Sequence, residues 1–222
     1  MFDARNPHAA LTIVTPPATE PVTLAQAKSY ARINTTADDD TVTDLIVSAR
    51  EYLEIFARRQ FIQATWLLTL DRFPIYYDWY EYSPFQNTAP YQSASQWQSQ
   101  NVIRLPRPPL VSVSSIVYVD AAGATQTLDP SQYQVDARST PGRIAPGFNL
   151  FWPGTQAVLD AVQITFVAGY AGPTPLPARV RTAVKRLVAH WYQNREDAGK
   201  PMSEQPWGVR NIAQSLRWGS YP

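Results

Sequence analysis

The 222 residues carry 19 Lys/Arg against 18 Asp/Glu, and 45% of them are hydrophobic while 17% are charged. That length and balance suit one domain with an insertion, or two small ones, around a real core; they exclude a disordered chain and a polyelectrolyte. There is no cysteine, which excludes disulfides, thiolate metal sites and cysteine nucleophiles and fits synthesis in a reducing cytosol.

Residues 1 to 22 read as extended, punctuated by Pro16, Pro17 and Pro21. They lack the basic n-region and apolar h-region of a secretory leader. No stretch of the chain approaches 18 uninterrupted apolar residues, so no membrane span is expected. Thr23 then opens a short helix, TLAQAKSYARI, with Gln26 placed to complete a capping box. Asp38, Asp39 and Asp40 precede a longer helix that runs to about residue 59. Three acids there suit the positive end of the helix dipole. A metal is the poorer reading of them, since no further ligands stand nearby in the sequence. Val42, Leu45, Ile46, Ala49, Tyr52, Leu53 and Phe56 form one helical stripe, from which Val47 and Ile55 depart. Those two mark a second contact surface.

From about Ala64 the period changes to that of strands: TWLLTLDRF, NVIRL, VSVSSIVYVD, TQTL, YQV and AVQITFVAGY, with a hairpin connection around Gly123. Within this block residues 73 to 97 hold nine aromatics, Phe73, Tyr76, Tyr77, Trp79, Tyr80, Tyr82, Phe85, Tyr91 and Trp97, without a clean period. A stacking platform for bases or sugars is conceivable. The charges there, Asp78 and Glu81, disfavour nucleic acid and favour a loop packed on its own sheet or on a partner.

Pro177 opens a third helix, to about residue 196. Its apolar face is Val180, Val184, Leu187, Val188, Trp191 and Tyr192. Arg181 and Lys185 flank that face on one side, and Arg179, Arg186 and His190 on the other. A groove-reading helix concentrates its basic residues on one exposed face; here they border the apolar stripe on both sides, as in a core helix with snorkelling flanks. From Arg179 to the end there are eight Lys/Arg and three Asp/Glu, against 11 and 15 before it. A chain so divided can meet copies of itself or a charged partner. Pro201, Pro206, Gly208 and Gly219 break the tail, so residues 201 to 222 are expected to be an extended arm that docks through Trp207 and Trp218.

No G-x-S-x-G elbow, Walker A loop, G-x-G-x-x-G run or H-E-x-x-H occurs. His190, at the edge of an apolar helix face, reads as a structural residue. Catalytic, cofactor-binding and metal-binding residues are therefore all expected to be none. The expected fold is α+β: a small bundle of three main helices, with a large antiparallel β-rich insertion between the second and third and an extended C-terminal arm. The expected divisions are 1–60, 61–176, 177–200 and 201–222.

Four stretches carry a family resemblance: EPVTLAQAKSYARI (20 to 33), DDDTVTDLIVSAREYLEIFARRQFIQATWLLTLDRFP (38 to 74), LPRPPLVSVSSIVYVDAAGATQTLDPSQYQVD (105 to 136) and PARVRTAVKRLVAHWYQNRE (177 to 196). In this order they resemble the head–tail connector (adaptor) proteins of long-tailed bacteriophages and gene transfer agents. The pair "LPRPPL.SV..V.YVD" and "AHWYQNRE" is the distinctive part. The resemblance implies a non-enzymatic virion subunit, made in the host cytoplasm. It implies a homo-oligomeric ring, usually dodecameric, between the portal protein and the next neck or tail-completion protein. Genome DNA would pass through that ring without sequence-specific binding. On that reading Trp207, Arg210, Ile212, Leu216, Arg217 and Trp218 would meet the portal. Val47, Ile55, Arg181, Lys185 and Arg186 would make contacts between subunits. Two other readings stay open: a nucleic-acid-binding accessory protein of DNA packaging using the basic C-terminal third, and a carbohydrate-binding tail-tip module using the aromatic loop.

Overall fold

A computed structural model describes residues 9–74, 101–194 and 207–217. Two units separate, one drawn from Met1–Ile13, Trp66–Leu105 and Ser112–Val167, the other from Val14–Thr65, Pro106–Val111 and Ala168–Pro222.

The second unit is helical. Helix α1, Leu24–Ala31, starts at the expected capping box: Thr23 Oγ1 accepts from the Gln26 amide and Gln26 Oε1 accepts from the Thr23 amide, both at 3.3 Å. It stops where Arg32 turns left-handed, at φ 57°. Helix α2, Asp39–Ala57, carries Asp39 and Asp40 in its first turn. Asp39 pairs with Lys28, which ties α2 to α1. Helix α3, Ala178–Gln193, buries Val180, Ala183, Val184, Leu187 and Val188. Their 3.6-residue period puts them on one face, against Val42, Ile46, Ala49 and Leu53 of α2 in a shared core.

A fourth helix, α4, Trp207–Leu216, corrects the expectation of an extended arm. Val209, Ala213 and Leu216 belong to the same core as α1, α2 and α3. The helix is possible because its breakers stand at its edge. Pro206 precedes the first turn and Gly208 lies within it, where few intrahelical bonds are lost. The apolar spacing from Val209 to Leu216 then gives it one face to bury. At its far end Arg59 Nε donates to the Leu216 carbonyl at 2.8 Å, supplying a partner for an oxygen that the helix leaves unpaired.

The first unit holds the strands. In chain order they are β1 (Ala10–Thr15), β2 (Ala64–Leu70), β3 (Ile103–Arg104), β4 (Leu110–Val119), β5 (Thr125–Thr127), β6 (Tyr133–Asp136), β7 (Arg143–Pro146) and β8 (Val162–Ala168), several of which reach into the second unit at their ends. One sheet has the order β1-β2-β8-β4-β5 and a second has β3-β7-β6. The pairs β4–β5, β3–β7 and β6–β7 are antiparallel. The hairpin expected at Gly123 joins β4 to β5, with Val117 opposite Thr127. Asp120 Oδ1 accepts the Ala122 and Ala124 amides at 2.9 Å, and Gly123 takes φ +87°, a conformation that suits glycine. Strand β8 alternates as a half-buried strand should: Val162, Ile164, Phe166 and Ala168 are buried and the residues between them are not. The six stretches read as strands all contain strand residues; β1 and β7 were not among them.

Candidate interaction surfaces

The buried charges at the end of α2 are paired. At the end of α2, Glu54 is 5% exposed and accepts from Arg50 Nη1 at 2.9 Å, Gln60 Nε2 at 2.9 Å and the Phe61 amide at 2.8 Å. Arg50, also 5% exposed, reaches Glu20 through Nε at 2.8 Å. Burial pushes the Glu54 carboxyl above its ordinary range despite the Arg50 charge beside it. Arg107 donates to the Glu54 carbonyl at 3.2 Å, and burial lowers its guanidinium. This cluster locks the α2 terminus to the segments that follow. It was not foreseen, although Arg50 and Glu54 stand four apart on the flank of the apolar stripe, which is the available signal.

The polar residues around α3 divide between internal and outward duties. Tyr192 donates to Asp38 Oδ2 at 2.6 Å, so Asp38 holds α3 to the start of α2. Trp191 meets Tyr52 edge-on at 6.1 Å. Asn194 Nδ2 donates to the His190 carbonyl at 2.8 Å and lies 3.3 Å from its Nδ1, a local helix-end arrangement. Arg181 donates to the Pro173 carbonyl and, at 3.0 Å, to that of Leu176. Lys185 sits with Nζ 5.7 Å from the centre of the Tyr30 ring. Arg179 and Arg186 are exposed. Between α1 and α3 an open cleft of 430 Å³ is lined by Ala25, Gln26, Ser29, Tyr30, Arg181 and Lys185.

Of the residues assigned to subunit contacts, Ile55 is 67% exposed and Val47 half-buried on the far side of α2. The residues assigned to the arm fare differently. Leu216 is buried at 5% exposure and Ile212 packs against the core, so within one subunit both serve the bundle. Arg217 is exposed. Trp218 and the side chains of Trp207 and Arg210 lie outside the described residues, as does the aromatic loop apart from Phe73. Phe73 itself is buried, stacked on Trp152 at 4.8 Å and edge-on to Tyr118 at 5.8 Å.

The first unit shows a surface that sequence reasoning missed. Between β7 and β8, Phe148 is 86% exposed, Phe151 75% and Leu159 81%. The segment is nonetheless anchored: Trp152 Nε1 donates to the Asn101 carbonyl at 2.8 Å, and the Asp160 amide donates to Asp71 Oδ1 at 3.1 Å. These large apolar side chains are held in place while they face outward. The run GFNLFWPG, apolar but neither helical nor alternating, is where the signal lay.

No protein-family model matches the chain, and no curated protein does. Solved structures do match. A chain in the neck of an empty gene transfer agent particle, computed with C6 symmetry, superposes with a TM-score of 0.72 at 20% identity, over 96% of this chain and 97% of that one. A chain in the virion of a native gene transfer agent particle gives 0.67, and one in the neck of a native particle computed with C12 symmetry gives 0.65, both at the same identity and coverage. The fold is therefore shared over nearly the whole length of each.

Proposed function

We propose that this chain is a structural subunit of the neck of a tailed-phage-like or gene transfer agent particle, a head–tail connector that forms a ring between the portal and the next neck protein. The observation that carries this reading is the fold shared with neck chains over 96% of the sequence. The resemblance of the four sequence stretches points the same way. A twelve-membered ring is compatible with both the sixfold and the twelvefold neighbours. Such a subunit needs outward surfaces for several partners, and the chain has them: the apolar crest at Phe148 and Phe151, and the charged faces of α2 and α3. The chemistry of these groups agrees, since Glu54 and Asp38 hold helices to their neighbours and the His190 ring lies against Asn194 at the end of its own helix. In this role the protein is non-enzymatic, resides in the virion, and lets DNA pass without reading its sequence.

The test is the native mass of the purified chain, alone and mixed with the portal ring of its particle. A multimer of the chain bound to the portal is expected. Failure to bind the portal, together with specific binding of a glycan or of a DNA sequence, would overturn the reading in favour of a binding module.

A further inference from the structure

Two faces of the helical unit carry opposite charge. On α2, Asp40, Asp44, Val47, Glu51 and Ile55 recur at steps of four, three, four and four residues. A helix turning 100° per residue gathers them on one side, opposite the buried Val42, Ile46, Ala49 and Leu53. Asp40, Asp44 and Glu51 are exposed, and so is Ile55 at 67%. The result is a ridge about 22 Å long, acidic along its length with apolar side chains among the acids. On the other face, Arg181 and Lys185 of α3 stand beside Tyr30 of α1, itself 45% exposed, around the open cleft. Arg181 is fixed by two carbonyls and Lys185 lies over the Tyr30 ring, so less freedom is lost when these cations meet a partner. Among the described residues no ion pair reaches Asp40, Asp44, Lys185 or Arg186.

We propose that the acidic ridge of α2 on one copy docks into the basic α1–α3 cleft of the next copy. This rests on the ring reading above and assigns its subunit contact. The two patches differ, so each copy keeps one of each free; such a contact propagates head to tail and closes when the rotation allows. Ile55 and Val47 exclude water against the Tyr30 ring and the alkyl stem of Lys185, while the charges set register and encounter rate. A nucleic acid would use the cleft alone and leave the acidic ridge without a partner.

The test uses charge reversal in the full-length chain. Asp44→Lys/Glu51→Lys and Lys185→Glu should each weaken self-association at low salt by about tenfold or more, since like charges then face each other. Their equimolar mixture should restore it, because the reversed ridge of one variant then meets the reversed cleft of the other, and the native ridge meets the native cleft. The chain has no cysteine, so in Glu51→Cys/Lys185→Cys the only thiols are the introduced ones. Oxidation should give a ladder of covalent multimers, and neither single variant should do so. Wild-type multimers without mixture rescue and without the ladder would refute this contact and leave the ring reading standing. A wild-type chain that stays monomeric at every concentration and salt also refutes the contact, while portal binding still judges the ring. Salt-dependent binding of a 20-base-pair duplex, lost in Lys185→Glu and unaccompanied by multimers, would reassign the cleft to nucleic acid.

Discussion

Replacing Glu54 with Ala removes one carboxylate and orphans three donors. The Phe61 amide, in a residue 1% exposed, loses its acceptor at 2.8 Å. Gln60 Nε2, in a residue also 1% exposed, keeps its bond to the Ile62 carbonyl at 2.9 Å and loses the one to Glu54. Arg50 keeps Glu20 at 2.8 Å and loses Glu54. A buried donor left unsatisfied costs about 1–3 kcal/mol, and breaking one side of a buried ion pair about 3–5 kcal/mol. Glu20 still holds Arg50, so the lower end applies to the pair. Burial already penalises the Glu54 carboxylate, so the loss arises chiefly from the stranded partners. The expected total is about 4 kcal/mol, a large fraction of the ~5–15 kcal/mol that holds a domain folded. At about 2–4 °C per kcal/mol for a chain of this size, the melting temperature should fall by roughly 8–16 °C in calorimetry or circular dichroism. Glu54→Gln keeps an oxygen for the Phe61 amide and should lose less. A Glu54→Ala protein destabilised by under ~1 kcal/mol would show that water or neighbouring groups replace the carboxylate, and the cluster would not be what fixes the α2 terminus.

Gly169→Ala should unfold the protein or lower its stability by several kcal/mol, on the order of 4. Gly169 has φ +108° and a Cβ there would lie 2.7 Å from the Ile62 carbonyl carbon and oxygen; a normal denaturation midpoint would refute the geometry. Leu216→Ala should cost about 2–3 kcal/mol in denaturant unfolding, because α4 is part of the core rather than a loose arm; an unchanged midpoint would restore the arm. Ser139 Oγ–H and Arg143 hold the Asp136 carboxyl down at about 2, so its contribution is present above the ordinary carboxylate range and is lost as pH falls toward 2. Asp136→Asn should flatten the acid limb of the stability profile in that window, and an unaltered limb would remove the assignment. His190→Ala should leave particle assembly intact, with infectivity or gene transfer as the readout; a specific enzymatic activity that disappears in this variant would overturn the non-enzymatic role.

Local chemistry determined what could be read directly from the residues. Thr23 and Gln26 make a capping box from side chains three apart, and no distant group is needed to complete it. The apolar stripes of α2 and α3 and the alternation of β8 are periodic, so each element could be located before its partner was known. The four quoted stretches placed the chain beside neck proteins because their order and spacing travel with the fold. Other features depended on residues far apart in sequence. Helix α4 was misread because its glycine and prolines dominated a local reading, while the core that accepts Val209, Ala213 and Leu216 is built from residues over a hundred positions earlier as well as from α3. Glu54 became a buried cluster only when Glu20, Arg50, Gln60 and Phe61 converged on it. Phe148 and Phe151 looked like any apolar pair until the folded chain showed them 86% and 75% exposed. Periodicity reports which face an element must bury; only the packed structure decides what buries it and which faces are left for another molecule.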